Sequence, residues 1–147
     1  MSRDKSQDLL PLLVILESLG KIELYAEGFS DADTFFNDGD QVRFNASLLL
    51  LLNVGEYAGR LSDELKNQSP DLPFQAIRGL RNRIAHNYTG IDYEMVFDIV
   101  KNDVPSIKSE LIQKLSEEIA KGTYDLGELS AARHSTFYKH VDFESLL

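Results

Sequence analysis

The stretch Arg78-Gly79-Leu80-Arg81-Asn82-Arg83-Ile84-Ala85-His86-Asn87-Tyr88 gathers guanidinium, carboxamide, imidazole and phenol groups. On a helix, Arg78, Asn82 and His86 recur at four and share a face, and Arg81, Ala85 and Tyr88 share the neighbouring one. Arg81 and His86 are about 140° apart at roughly 100° per step. Their tips therefore converge only through the reach of arginine or a distorted helix end. Imidazole, with an ordinary pKa of about 6.5, can take and return a proton near neutrality. Arginine's planar fork gives two charge-assisted hydrogen bonds to phosphate oxygens. The group set thus suits proton transfer beside an anion. From composition alone the plainer reading is a solvated helix face ending in a histidine that the helix dipole favours.

Charge points to the same stretch. The chain has 147 residues, 24 acidic and 15 basic, for a formal charge of −9. That total argues against a bulk nucleic-acid binder, which carries a basic surface. Residues 60–90 nevertheless hold five Lys/Arg against three Asp/Glu, and residues 76–90 hold three arginines and no acid. The flanking blocks are acidic, with four basic residues against ten acidic in 1–59 and four against nine in 91–130.

Other chemistries lack their residues. The absence of cysteine excludes a disulfide scaffold, a thiolate metal site and a cysteine nucleophile. His134 and His140 are six apart, which is no standard ligand spacing on a helix, so no metal site is expected. There is no nucleophile elbow and no glycine-rich phosphate loop, and no cofactor is expected. The longest apolar run, Leu48 to Leu52, is too short to span a bilayer. The opening Met1-Ser2-Arg3-Asp4-Lys5 leads to apolar residues that Glu17 and Lys21 soon interrupt. This reads as no signal peptide and a cytoplasmic protein.

The elements that must position the stretch are helices. Apolar residues are 43% and charged residues 27%, the balance of one soluble domain. Leu9, Leu12, Leu13, Leu16 and Leu19 mark a first helix, capped by Asp8 or a near neighbour, with Pro11 in its first turn. Glu27 to Asp40, with Gly28, Ser30, Asn37 and Gly39, reads as a loop. A second helix is expected from about Gln41 to Leu65 along Phe44, Leu48, Leu51, Ala58, Leu61 and Leu65. Its five consecutive leucines put apolar surface on every side of one turn, which suggests one side meeting the core and another a second subunit, the plainer alternative being a central helix in a monomeric core. Asn67 to Pro73 is a turn. Pro73 opens the helix that carries the site, with Phe74, Ile77, Leu80 or Arg81, Ile84 and Tyr88 at helical spacing up to about Asn87.

Thr89-Gly90 breaks that helix, and Asp92 caps a last one along Val96, Val100, Val104, Ile107, Leu111, Leu115 and Ile119. Pro105 predicts a kink or short break near Asp103, and Gly122 predicts the end. The expected architecture is all-α: an up-and-down four-helix bundle over residues 1–122 with a C-terminal extension, 123–147. The extension reads as a short helix around Glu128 to His140 or a mobile tail.

Arg81 to Tyr88 reads R-N-x-x-x-H-x-Y, and this resembles the signature of HEPN domains, in particular the HepT-like toxins. Val54-Gly55-Glu56-Tyr57-Ala58 is similar to that family's I-G-E-A segment. Phe74 to Gly79, Ile91 to Glu94 and Asp103-Val104-Pro105 resemble its approach to the motif and its last helix. The likeness covers about residues 8–120. It implies a homodimer of helical bundles that cleaves RNA without a metal at a site shared across the interface. Arg81 and His86 would be catalytic, with Asn82 and Arg78 supporting. It also implies a partner antitoxin, a minimal nucleotidyltransferase that transfers AMP to Tyr88. The chemistry is sound on its own terms. RNA brings its own nucleophile, the 2′-hydroxyl, so a protein need only deprotonate it, stabilise the phosphorane and protonate the leaving 5′-oxygen. One His86 cannot easily be acid and base at once, whereas a two-fold axis supplies two. Glu56 is expected near the motif helix, chiefly as an acceptor for an arginine. The rival reading is a non-catalytic HEPN module that binds a nucleotidyltransferase and its nucleotide.

Overall fold

The computed structural model describes residues 4–70, 74–86 and 90–147. Among these, all regular structure is helical, and no helix is long and apolar enough to cross a membrane. The chain is an all-α helical bundle, as its periodicity predicts. Helix α1 (Leu9–Ala26) packs against α3 (Val42–Gly59) and α7 (Val104–Ala120), and α3 packs in turn on α5 (Phe74–His86). Helix α1 is the central rod: Leu13, Ile15 and Ile22 are wholly buried, and Leu9, Leu12, Leu16 and Leu19 nearly so.

Asp8 does not cap α1 through its side chain. The 3-10 turn Lys5–Gln7, capped by Asp4, runs straight into α1, so the backbone at Asp8 is already helical. Its buried carboxylate instead accepts hydrogen bonds from the Ser62 backbone N–H at 2.8 Å and the Ser62 hydroxyl at 2.5 Å. That bond explains a second departure. The second helix stops at Gly59 rather than Leu65, because the Ser62 N–H is taken by Asp8. Ser62 then caps a separate helix α4 (Asp63–Gln68), its Oγ accepting from the Leu65 N–H. Leu61 and Leu65 are still buried, so the apolar period runs unbroken over a real corner.

The expected loop at Glu27 to Asp40 contains helix α2 (Ala32–Asn37) and a 3-10 turn at Asp38–Gln41. Asp31 caps α2 by accepting from the Thr34 N–H at 2.8 Å, and the fully buried Phe35 anchors it edge-on against Phe29 and Phe44. The five-leucine turn of α3 is not covered on every side by its own chain. Leu48 and Leu51 are buried, but Leu49 is 64% exposed.

The last long column begins with α6 (Tyr93–Asp98), capped by Asp92 as expected. It passes through a π-helical turn at Ile99–Asp103 into α7, which places Pro105 in the first turn of α7. The proline is thus accommodated without a break. Gly122, with φ +76, follows the end of α7. The extension contains α8 (Leu126–Arg133), a 3-10 turn at Thr136–Tyr138 and α9 (Phe143–Leu146). It buries Leu129, Ala132, Val141, Phe143 and Leu146, and α9 packs on α7. His140 ties it to α1: its backbone N–H donates to Glu17 Oε1 at 2.5 Å and its Nδ1 lies 2.7 Å from Glu17 Oε2. Gly20 permits the approach, since a Cβ there would lie 2.7 Å from the His140 carbonyl oxygen.

Candidate active site

Helix α5 divides cleanly. Phe74, Ile77, Leu80 and Ile84 are buried and hold the helix to the bundle. Arg78, Arg81, Asn82, Arg83, Ala85 and His86 are exposed. The apolar positions recur at three and four, so these polar tips fall on the side turned away from the core.

The position of Arg81 is set by α3. Gly55 lies against it so closely that an added Cβ would fall 2.3 Å from Arg81 Cβ and 3.2 Å from the Ile77 carbonyl oxygen. One turn on, Gly59 faces Arg78, whose Nε would lie 3.8 Å from a Cβ there. The two glycines, four apart, form a track along which α5 lays its arginines. Between them stands Glu56. Its Oε2 is 3.2 Å from Arg81 Nη2 and its Oε1 is 3.5 Å from Arg60 Nη2. Arg60 also lies over the Tyr57 ring, its guanidinium carbon 4.6 Å from the centroid. Both ion pairs are about half exposed, so each contributes only a few tenths of a kcal/mol and exchanges readily for another anion.

Arg81 is therefore brought beside Glu56, which takes the acceptor role expected of it, and Arg78 lies against Gly59 along the same helix contact. Asn82 stands exposed on the same helix. His86 is the last residue of α5, exposed, at the end where the helix dipole favours a cation. Tyr88 lies outside the described residues. Three contributors were not singled out as site residues from the sequence: Gly55, Gly59 and Arg60. The spacing of the glycines and the position of Arg60, four after Glu56 at the edge of the net-positive block, were the available signals. His134 and His140 serve elsewhere: His134 Nδ1 lies 2.8 Å from the Ser130 carbonyl oxygen, and His140 meets Glu17. Among the described residues no three His, Asp or Glu side chains are grouped to hold a metal ion.

The family model described as Ribonuclease HepT-like matches residues 15–114. The protein named "Putative RNase MJ1380" of Methanocaldococcus jannaschii is 34% identical over 97 residues, 66% of this chain and 86% of that one. "Putative RNase MJ0127" of the same organism is 32% identical over 102 residues, covering 65% of this chain and 80% of that one. "Probable ribonuclease HepT" of Thermococcus cleftensis is 22% identical over 108 residues, 74% of this chain and 90% of that one. No solved structure matches. The matched span holds α3, α5 and most of α7, with both glycines and the arginines they seat, and the chain belongs to the HepT-like ribonuclease family.

Proposed function

We propose that the chain is a metal-independent endoribonuclease toxin that acts as a homodimer and is neutralised by a minimal nucleotidyltransferase partner. The observation that carries the proposal is the state of Arg81. Close helix contact at Gly55 fixes its backbone, while its guanidinium is half exposed beside a carboxylate that phosphate can displace. His86 stands exposed five residues on, about 7.5 Å of helix rise away.

In the reaction, Arg81 binds a nonbridging phosphate oxygen. One His86 takes the proton of the 2′-hydroxyl, and the 2′-oxygen attacks phosphorus. The 5′-oxygen leaves with a proton from the His86 of the second protomer, giving a cyclic phosphate and a free 5′-hydroxyl. Asn82 and Arg78 help to orient the phosphate. The dimer has an apolar face available: Val42 and Leu49, each 64% exposed, are seven apart and so on one side of α3. AMP esterified to Tyr88, two residues after His86 in the sequence, would add an anion and an adenosine that compete with RNA for Arg81.

The test is cleavage of a defined RNA. His86→Ala and Arg81→Ala each abolish it with helicity unchanged, EDTA leaves it intact, and 2′-O-methylation at the cut site blocks it. Full activity of His86→Ala overturns the assignment. Co-expression with a nucleotidyltransferase partner adds one or more AMP units to the wild-type mass and none to Tyr88→Phe. A neutralised wild-type chain of unchanged mass would leave inhibition by binding alone.

A further inference from the structure

We infer that Arg60 is a second phosphate-binding residue of the RNA site, seating the phosphate next to the one that is cleaved; this rests on the ribonuclease reading above. Arg60 and Arg81 sit on opposite oxygens of one carboxylate, at 3.5 and 3.2 Å. Their Nη2 atoms are thus within about 9 Å of each other, taking C–O bonds of about 1.2 Å. That upper limit admits the separation of neighbouring phosphates on one strand. Arg78 faces Gly59, the residue immediately before Arg60.

Two guanidiniums on one carboxylate leave one positive charge unmatched within the cluster, in a chain whose formal charge is −9. A helix-end ion pair that served stability alone would neutralise itself. The contact between Arg60 and the Tyr57 ring matters for the same reason. It holds the guanidinium over the ring, with the side chain 50% exposed, before substrate arrives, which lowers the ordering cost of binding. Glu56 then acts as a placeholder. It keeps Arg60 and Arg81 apart and aligned, and it yields both to a strand whose successive phosphates replace its two oxygens.

The experiment measures binding of a 2′-O-methylated, uncleavable oligoribonucleotide and cleavage of its unmodified counterpart. Arg60→Ala should weaken binding roughly three- to tenfold. It should also flatten the slope of log affinity against log salt by about 0.7, the value for one phosphate contact on a single strand. KM should rise by a similar factor with kcat within about twofold, and a dinucleotide with a single phosphate should show no difference. Arg60→Lys should restore the salt slope and most of the affinity. Arg60→Gln, which keeps the stem against Tyr57, should behave as Arg60→Ala, so loss of packing is not the cause. Unchanged affinity and salt slope in Arg60→Ala and Arg60→Gln would overturn the inference. So would a fall in kcat with KM unchanged, which would make Arg60 only a support for Glu56. Arg81→Ala separates the two levels: if it cleaves normally, the ribonuclease site itself is misassigned, whereas an inactive Arg81→Ala beside a wild-type-like Arg60→Ala refutes the second contact alone.

Discussion

Gly55→Ala should cost activity far more than stability, and the structure supplies the magnitude. The new Cβ would lie 2.3 Å from Arg81 Cβ, where ordinary contact begins at 3.4 Å. The obstacle is not a flexible side-chain end, because the Ile77 backbone oxygen also lies 3.2 Å away. Helix α5 must therefore retreat by more than an ångström or the two helices must shear. Overpacking of this kind costs about 1–3 kcal/mol. Replacing a helical glycine by alanine returns up to about 1 kcal/mol, so the net loss is about 0–2 kcal/mol. For a chain of this length that is a fall of at most several degrees in Tm. A displacement of about 1 Å at a reacting group costs on the order of 10²-fold in rate. The control is Gly79→Ala on α5 itself, where an added Cβ meets nothing within 4 Å. It should raise stability by about 0.4–1 kcal/mol and cleave RNA like the wild type. The assay pairs thermal melting with single-turnover cleavage of one RNA. A Gly55→Ala protein that melts and cleaves as the wild type does would refute the claim that this contact places Arg81.

Other consequences are as direct. Burial pushes the Glu118 carboxyl up, but the hydrogen bonds from Lys5 and Thr123 and the charges of Lys5 and Lys114 outweigh it and hold the group below its ordinary 4.5. Its stabilising share is complete above that value and is lost as pH falls through the lowered folded pKa; urea midpoints should drop on acidification below about pH 4.5, and Glu118→Gln should flatten the drop. Asp8→Ala should cost about 2–4 kcal/mol in urea unfolding, because it strands the buried Ser62 N–H and hydroxyl; a loss below 1 kcal/mol would contradict the buried staple. Leu49→Asp, at a position 64% exposed, should leave the melting of the chain nearly unchanged and convert a dimer to single-chain mass by light scattering. A dimer that persists in this variant would place the interface elsewhere.

Much of the bundle could be read from spacing, because a buried stripe at three and four is a direct record of which side of a helix meets the core. The departures share one cause: contacts between residues far apart in sequence. Nothing near Leu61 announces that Asp8, 54 residues earlier, takes the Ser62 N–H and turns the chain. The glycines and polar residues between Glu27 and Asp40 suggest a loop, yet Phe35 and Phe36 pay for a short helix through rings contributed by α3 and α6. At the candidate site, the exposed polar side of α5 and the acceptor role of Glu56 were legible because residue types and spacing record them. The packing of Gly55 and Gly59 against α5, and the stacking of Arg60, depend on which faces of two helices meet. A one-dimensional period specifies each face but not its partner.

The tie between Glu17 and His140 spans 123 residues of chain. At a synthesis rate of about 5–20 residues per second, His140 emerges about 6–25 s after Glu17. Throughout that interval the most deeply packed helix of the bundle has one flank uncovered at Gly20, and its inward-facing carboxylate still has water for a partner. Closure thus waits until His140 has been made and released, and a nascent chain stalled before His140 offers chaperones and proteases an open seam that the closed fold does not have.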